Sequence, residues 1–324
     1  MKGIAWVVAC LAVVGGGGTE VPPYVRPLGA HVAAAPAVAR DFSPASSRIA
    51  QRPQRIISLV PAVTEMLFAI GAGDQVIGIS SYDRHPPEAL TRTRLGALVD
   101  PDVERILSLR PDLVVVYGTQ DDLIARLSRA GISMFNYEHA GLADITTTIG
   151  RIGDRIGRRN EAQRVVAGID AGIAAVRRQV AGRPRLRTVL IFDREPGGLR
   201  GMFASAGRGF LHDMLEVAGG DDVFADVDRQ SVQVSVEVLL ARAPEVVLEI
   251  HKSAGWTPDR LARERALWNT LAGLPAVRDN RVHMLVDDAL SVPGPRVVAG
   301  IRLMAGALHP EAFRDAARSV SRKP

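Results

Sequence analysis

The stretch VERILSLRPDLVVV at 103–116 is written a second time, as VEVLLARAPEVVLE at 236–249. At an offset of 133 residues Val103 meets Val236, Glu104 meets Glu237, Leu107 meets Leu240, Pro111 meets Pro244 and Val114 meets Val247, while Asp112 meets the like-charged Glu245. Each copy reads as a short helix, a proline that ends it, and a β-branched run that makes a buried strand. A helix that hands the chain into a buried strand is the connection a parallel sheet requires. Two copies so far apart leave room for one sheet around each, which restricts the fold more than any compositional figure. The same ingredients occur in any helix-to-strand joint, so the surroundings must decide between shared grammar and two equivalent halves.

Those surroundings alternate. RIISLV (55–60) predicts a strand closed by Pro61, and TEMLFAIGAG a helix opening after Thr64 and stopped by Gly71. VIGIS predicts a strand, SYDRHPPEA a polar turn, then come a helix from Val103 to Leu109, the strand LVVVYG, the helix DDLIARLSRAG and the strand ISMFNY. Strands alternating with helices predict a mostly parallel sheet covered on both faces. From 142 to 181 no strand-like run occurs, and Ile145, Ile149, Ile152 and Ile156 fall at helical spacing. Asn160 and Gln163 form a capping-box pair that opens a second helix running to Ala181. Its 22 residues reach roughly 33 Å, about a domain diameter. The alternation then resumes through TVLIFD, FLHDMLEVAGG, the second copy of the phrase, LWNTLAGLPAVR and VHMLV, and closes with the helix PGPRVVAGIRLMAGAL.

The expected fold class is therefore α/β: two lobes, each a mostly parallel sheet flanked by helices, joined by a single long backbone helix. The expected boundaries are a signal peptide at 1–18, a leader or tether at 19–54, lobes at 55–141 and 183–312, the linker at 142–182, and a tail at 313–324. Lys2 followed by the apolar run from Gly3 to Val14 has the form of an export signal. The run is too short for a transmembrane helix of about 20 residues. Cys10 follows VVA, a small-residue context compatible with lipid attachment, although cleavage of the signal is the simpler expectation. With one cysteine in 324 residues, an intramolecular disulfide is excluded. A formal charge of +5 would suit nucleic acid, yet the chain has neither a basic run nor zinc-finger spacing.

The segments RIISLVPAVTEMLFAIGAGDQVIGISSYDRHPPEA (55–89), DVERILSLRPDLVVV (102–116), FLHDMLEVAGGDDVFAD (210–226), QVSVEVLLARAPEVVLE (233–249) and PGPRVVAGIRLMAGALHP (293–310) resemble the class III periplasmic binding proteins of ABC importers. The chain is similar above all to the cobalamin and iron-siderophore branch of that class. The resemblance implies an exported, periplasmic or membrane-tethered, monomeric receptor that captures a metal chelate and partners an ABC permease dimer with its ATPase. It implies no enzyme activity, no cofactor beyond the cargo, and no nucleic-acid partner. It also implies that Glu104 and Glu237 dock onto the permease. A twofold-symmetric partner presents the same basic socket twice, so a monomer needs a matching acidic knob on each lobe. Asp102 and Ser235 are the expected N-caps, placing each Glu in a first helical turn, which the helix dipole favours on its own account.

Ligand contacts are expected at the ends of the strands, between the lobes. Tyr82 in SSYD stands where the cobalamin branch carries a cleft tyrosine, Tyr117 where it carries an aromatic residue, and Asp288 at an acidic contact position. Leu98 and Ser231 occupy positions where that branch has tryptophans, and only 5% of residues are aromatic, which reduces the stacking area for a flat corrin. Arg84, Arg194, Arg200, Arg208 and Arg229 lie in expected strand-end loops, where guanidinium groups can grip carboxylates or stack on flat ligands. SAGRGF before Phe210 offers backbone N–H groups at a helix N-terminus to an anion. Ferric siderophore or haem is the alternative cargo. A bare zinc or manganese site from His85, His139, His212 and Asp287 or Asp288 is weaker, since no local ligand spacing supports it. Catalysis is weaker still, since there is no G-x-S-x-G elbow.

Overall fold

The computed structural model describes residues 52–313. The export signal, most of the leader, Cys10 and all but the first residue of the tail lie outside the described residues. The first lobe runs through β1 (Ile56–Ser58), α1 (Pro61–Ala69), β2 (Val76–Ile79), β3 (Thr93–Arg94), α2 (Val103–Ser108), β4 (Leu113–Tyr117), α3 (Asp121–Arg129) and β5 (Met134–Tyr137). Its strands pair in parallel in the order β3-β2-β1-β4-β5. Helices α4 (Ala143–Ile156) and α5 (Arg159–Val180) follow without a strand.

The second lobe contains β6 (Leu186–Asp193), β7 (Met202–Ser205), α6 (Phe210–Val217), β8 (Gly220–Asp222), β9 (Ser231–Val234), α7 (Val236–Arg242), β10 (Val246–His251), α8 (Pro258–Ala266), α9 (Pro275–Arg278), β11 (Val282–Val286) and α10 (Val297–Leu308). Its order is β11-β10-β6-β7-β9, with β8 paired to the start of β6. Strands β8, β6, β10 and β11 are parallel, whereas β7 is reversed and pairs antiparallel with both β6 and β9. This antiparallel edge was not expected, because MFAS and SVQV are short and mix small and polar residues into their alternation.

Side chains alternate across each strand and bury both sheet faces. Ile56, Leu113 and Val115 face one large core, shared with Ile145, Ile149, Ile152 and Ile156 of α4, Ile169 and Val176 of α5, Leu190, Leu248 and Ile250 of the second sheet, and Met304 of α10. Ile57, Val114 and Val116 face the opposite way, onto Ile106 and Leu127. Val189, Ile191 and Val247 do the same in the second lobe, onto Leu239 and Trp268. The inner faces of both lobes are thus continuous through the linker helices. Each outer face is covered by its own copy of the repeated phrase.

The two copies build the same joint. Arg110 and Ala243, 133 residues apart, both take the left-handed conformation at φ 46°. Asp112 accepts the backbone N–H groups of Gln54 (2.8 Å) and Arg55 (3.0 Å) with its carboxylate, and Glu245 accepts that of Arg187 (2.9 Å). Each carboxylate therefore fixes the start of the neighbouring strand, β1 or β6. This explains why an acidic residue follows the proline in both copies.

Three expected helix starts are corrected. Helix α1 opens at Pro61, where the missing N–H is harmless, and Thr64 is interior, its hydroxyl bonded to Ser58 Oγ (2.9 Å) and Val60 O (3.2 Å). Helix α5 opens at Arg159 with no side-chain cap, so Asn160 and Gln163 form no capping box. Left-handed Gly157 ends α4, and the chain re-enters helix two residues on, leaving no room for an extended cap. Helix α10 opens at Val297 rather than Pro293, because Pro293–Arg296 form a turn that delivers Arg296 to the first lobe.

Candidate functional site: the cavity between the lobes

The carboxyl ends of β1, β4 and β5 converge on a cavity of about 440 Å³, within the range of about 300–1,000 Å³ usual for small-molecule sites. Pro61 and Ala62 after β1, Tyr117–Thr119 after β4 and Tyr137–Ala140 after β5 form one wall. Leu98 and the α4 residues Asp144, Thr147, Thr148 and Arg151 extend it. The second lobe closes the cavity with Gln230 and with Ser291, Val292 and Pro293. A second hollow of about 760 Å³ lies against α5 beside Arg183 and Arg185, at the amino end of β6. It lacks the strand carboxyl ends at which open α/β sheets collect ligands.

An aromatic ladder runs through the wall. The Tyr117 and Tyr137 rings meet edge to face at 5.8 Å and 71°, the His139 ring lies parallel to Tyr137 at 6.2 Å and 6°, and Phe210 of the second lobe meets His139 edge-on at 5.5 Å and 70°. Both ring nitrogens of His139 are shielded from solvent without a hydrogen-bond partner, a state that costs about 1–3 kcal/mol per unsatisfied group. Burial pushes the His139 pKa down to about 4, against the opposing pull of Asp144 and Asp213, so the imidazole is neutral at ordinary pH. The backbone that carries it is fixed: Ala140 and Gly141 donate to Asp144 Oδ2 (2.8 and 2.7 Å), and Leu142 donates to Asp213 Oδ2 (2.7 Å) on α6.

Of the expected contacts, Tyr117 lines the cavity, as does Leu98 at an expected tryptophan position; Tyr82, Arg84, Arg194, Arg200, Arg229 and Asp288 are not among its lining residues. Tyr82 is half-buried in the loop after β2, and Arg84 is exposed, donating to the carbonyls of Ser81 (3.1 Å) and Asp83 (3.0 Å). Arg194 is buried and already neutralised by Glu249 Oε1 and Glu264 Oε2, each at 2.9 Å. Arg200 and Arg229 are exposed, and Arg208 pairs with Asp228. Asp288 accepts the Ser253 N–H at 3.0 Å. The anion cradle at SAGRGF is also occupied internally, since Gly207 and Arg208 donate their N–H groups to the carbonyls of Val227 and Arg229. The sequence placed these arginines in loops correctly but could not show the acidic partners brought to them from distant segments. It passed over Tyr137, Arg151 and Gln230, although the strand-end rule applied to β1 and β4 marks NYEH after β5 equally well.

Beside the cavity floor the lobes are pinned. Arg296 donates to both carboxylate oxygens of Glu65, at 2.9 and 2.7 Å. Under Tyr82, Asp83 is fully buried, and desolvation pushes its pKa up to about 7, with Thr64, Ser80 and Arg94 only partly offsetting it.

Glu104 and Glu237 are exposed in the first turns of α2 and α7. Asp102 accepts the Arg105 N–H (3.0 Å) and Ser235 the Val238 N–H (3.4 Å), the caps expected of them. Leu107 and Leu240, equivalent in the repeat, are 37% and 43% exposed beside them. Among the described residues no group of three or more His, Cys, Asp or Glu side chains is placed to hold a metal ion, so the bare-cation set is not assembled. No helix among them is long and apolar enough to cross a membrane.

Two lobes of this kind around a linker-helix core, with a ligand-sized cavity at their seam, define a bilobal binding protein. The chain belongs to the periplasmic binding protein family, whose sequence pattern matches residues 56–289. It is 28% identical over 256 residues to the vitamin B12-binding protein of Salmonella typhimurium, covering 78% of this chain and 90% of that one. It is 24% identical over 287 residues to the uncharacterized ABC transporter substrate-binding lipoprotein YvrC of Bacillus subtilis, covering 86% and 88%. The fold superposes on the periplasmic heme-binding protein RhuT from Roseiflexus with a TM-score of 0.67 at 24% identity, over 80% of this chain and 99% of that one. The chain is thus a substrate-binding protein of the ABC-importer type, a family of binding proteins rather than enzymes.

Proposed function

We propose that this protein captures a metal chelate, in the first place a corrinoid, in the cavity between its lobes and delivers it to a permease dimer powered by an ATPase. The observation that carries this reading is the cavity wall, where the Tyr117–Tyr137–His139 ladder gives aromatic edges and faces beside a few fixed polar groups, Arg151 and Asp144 among them. Flat, partly apolar chelates bind through such surfaces. Likeness to vitamin B12-binding proteins supports the corrinoid choice. Haem or a ferric siderophore is the second reading; the aliphatic Leu98 in the wall removes a stacking face, which favours the non-planar siderophore of these two.

In this reading Glu104 and Glu237 are the docking carboxylates, with Leu107 and Leu240 presenting an apolar contact beside each, and the N-terminal signal carries the protein out of the cytoplasm. The test is a calorimetric and absorbance titration of the purified protein with cobalamin, cobinamide, haem, a ferric siderophore, zinc and manganese. Saturable corrinoid binding with no response to free cations is the expected result. Tight binding of a bare cation alone would overturn the reading.

A further inference from the structure

We infer that the turn Ala97–Asp100 is a second docking element of the first lobe: it seats Val99 on the permease and thereby draws Leu98 out of the cavity wall, so that docking loosens the cargo. The inference deepens the docking reading of Glu104 and Glu237 and rests on it. Val99 is 81% exposed, more than any other large apolar side chain among the described residues. A lone exposed Val is ordinary on a protein surface. This one has company: Val99, Leu107, Val238 and Leu240, four of the six exposed large apolar side chains among the described residues, lie in the two tip helices or within four residues of them. Asp100, Asp102 and Glu104, all exposed, follow Val99 directly. An apolar contact flanked by carboxylates complements a partner surface whose basic socket is rimmed by apolar side chains.

The same turn reaches the cavity, because Leu98, next to Val99, lines it with Tyr117. The turn moves as one piece. Ala97 and Asp100 each donate an N–H to the other's carbonyl, at 3.0 and 3.3 Å, and Gly96, at φ 85°, pairs with Pro101 beneath them. Its tie to the wall is the buried Gln120, whose Nε2 donates to Leu98 O (2.7 Å) and whose Oε1 accepts the Tyr117 N–H (3.0 Å). A neutral side-chain bond has a small net strength, so a new apolar contact at Val99 can outweigh it. The second half is built differently. Gln230 lines the cavity seven residues before Glu237, much as Leu98 does six residues before Glu104. There the connection is strand β9, whose four residues are all in register with β7. A strand held along its length resists displacement, whereas a turn hinged at its base does not. The two acidic tips are matched, yet of the two the first is joined to the cavity by the movable piece. Linkage makes the effect reciprocal: docking that lowers cargo affinity implies cargo that lowers docking affinity by the same factor.

The experiment measures the distance between spin labels on Leu98→Cys and Ser128→Cys by double electron–electron resonance. It uses the full exported chain in a Cys10→Ser background, with and without the permease–ATPase complex in lipid nanodiscs. Both labels sit in the first lobe, with Ser128 exposed on α3, so lobe opening does not enter the distance, and no cargo is needed. Docking is expected to shift the distance. Val99→Ser, added to the same labelled chain, should remove the shift and weaken permease binding about tenfold, the loss expected for one Val-sized apolar contact. At saturating permease the Val99→Ser complex still forms through the carboxylates. If docking leaves the distance unchanged, or Val99→Ser shifts it as the parent does, the coupling is overturned while docking through Glu104 and Glu237 stands. If the chain does not dock, or docks equally well after Glu104→Arg with Glu237→Arg, the docking reading is overturned and the coupling with it.

Discussion

The pair Glu65–Arg296 is the sharpest test of how the lobes hold together. Glu65 lies on α1 of the first lobe and Arg296 immediately before α10 of the second, and the guanidinium meets both carboxylate oxygens. The Glu65 side chain is 5% exposed and that of Arg296 26%. Replacing Arg296 with Met keeps the apolar stem and leaves a buried carboxylate without its cation. Breaking buried pairs costs about 3–5 kcal/mol, and the partial exposure of Arg296 places this one near about 3 kcal/mol. Glu65→Gln keeps one acceptor and the side-chain shape, and should cost about 1–2 kcal/mol. Once either partner is gone the other loses its reason to be there, so the double variant should be more stable than additivity predicts by about 2 kcal/mol. Urea unfolding followed by far-UV circular dichroism measures the cycle. Costs that add within about 0.5 kcal/mol would show that the two side chains are neighbours without energetic coupling. Small-angle scattering of the same variants reads the lobes directly. The wild type should change little on ligand binding, because α4, α5 and the shared core limit hinge bending, and a large opening in the unliganded wild type would refute that account.

Two further outcomes follow from single sites. Asp83 has a folded pKa of about 7 against an ordinary 3.8, so the native state favours the protonated form; the contribution of Asp83 to stability is fully present below about pH 4 and falls by roughly 4 kcal/mol as pH rises through 7. Asp83→Asn should remove that slope in denaturant titrations at pH 4 and 8, and a stability difference independent of pH would count against a buried, proton-holding carboxyl. Reversing both lobe-tip charges, Glu104→Arg with Glu237→Arg, should abolish uptake while ligand affinity stays at the wild-type value, at a helix cost of no more than about 1 kcal/mol each; normal uptake by the double variant would refute docking through these residues.

The lobe-tip helices show how far local pattern reaches. Their limits, caps, terminating proline and following strands all lie within one run of residues, and the structure matches them to within a residue. The same holds for the parallel strand–helix alternation, whose buried runs are long enough to show their period. Strands β7 and β9 were missed because four-residue segments mixing small and polar side chains pair through backbone groups that every residue carries.

The sequence by itself determined two α/β halves with matched acidic tips and a helical linker, because hydrophobic period, turn residues and caps act over a few residues at a time. Tertiary structure alone decided the site. Arg194 looked like a free loop cation until Glu249 and Glu264, 55 and 70 positions away, were brought against it. Arg296 likewise met Glu65 across 231 positions. His139, which the sequence offered only as one of a weak bare-cation set, gained its surroundings only when Tyr137 and Phe210 enclosed it and no donor or acceptor came within reach. Whether a charge is free or paired, and whether a ring nitrogen is satisfied, depends on contacts between distant segments. Those contacts are set by packing of the whole chain, and no local window carries them.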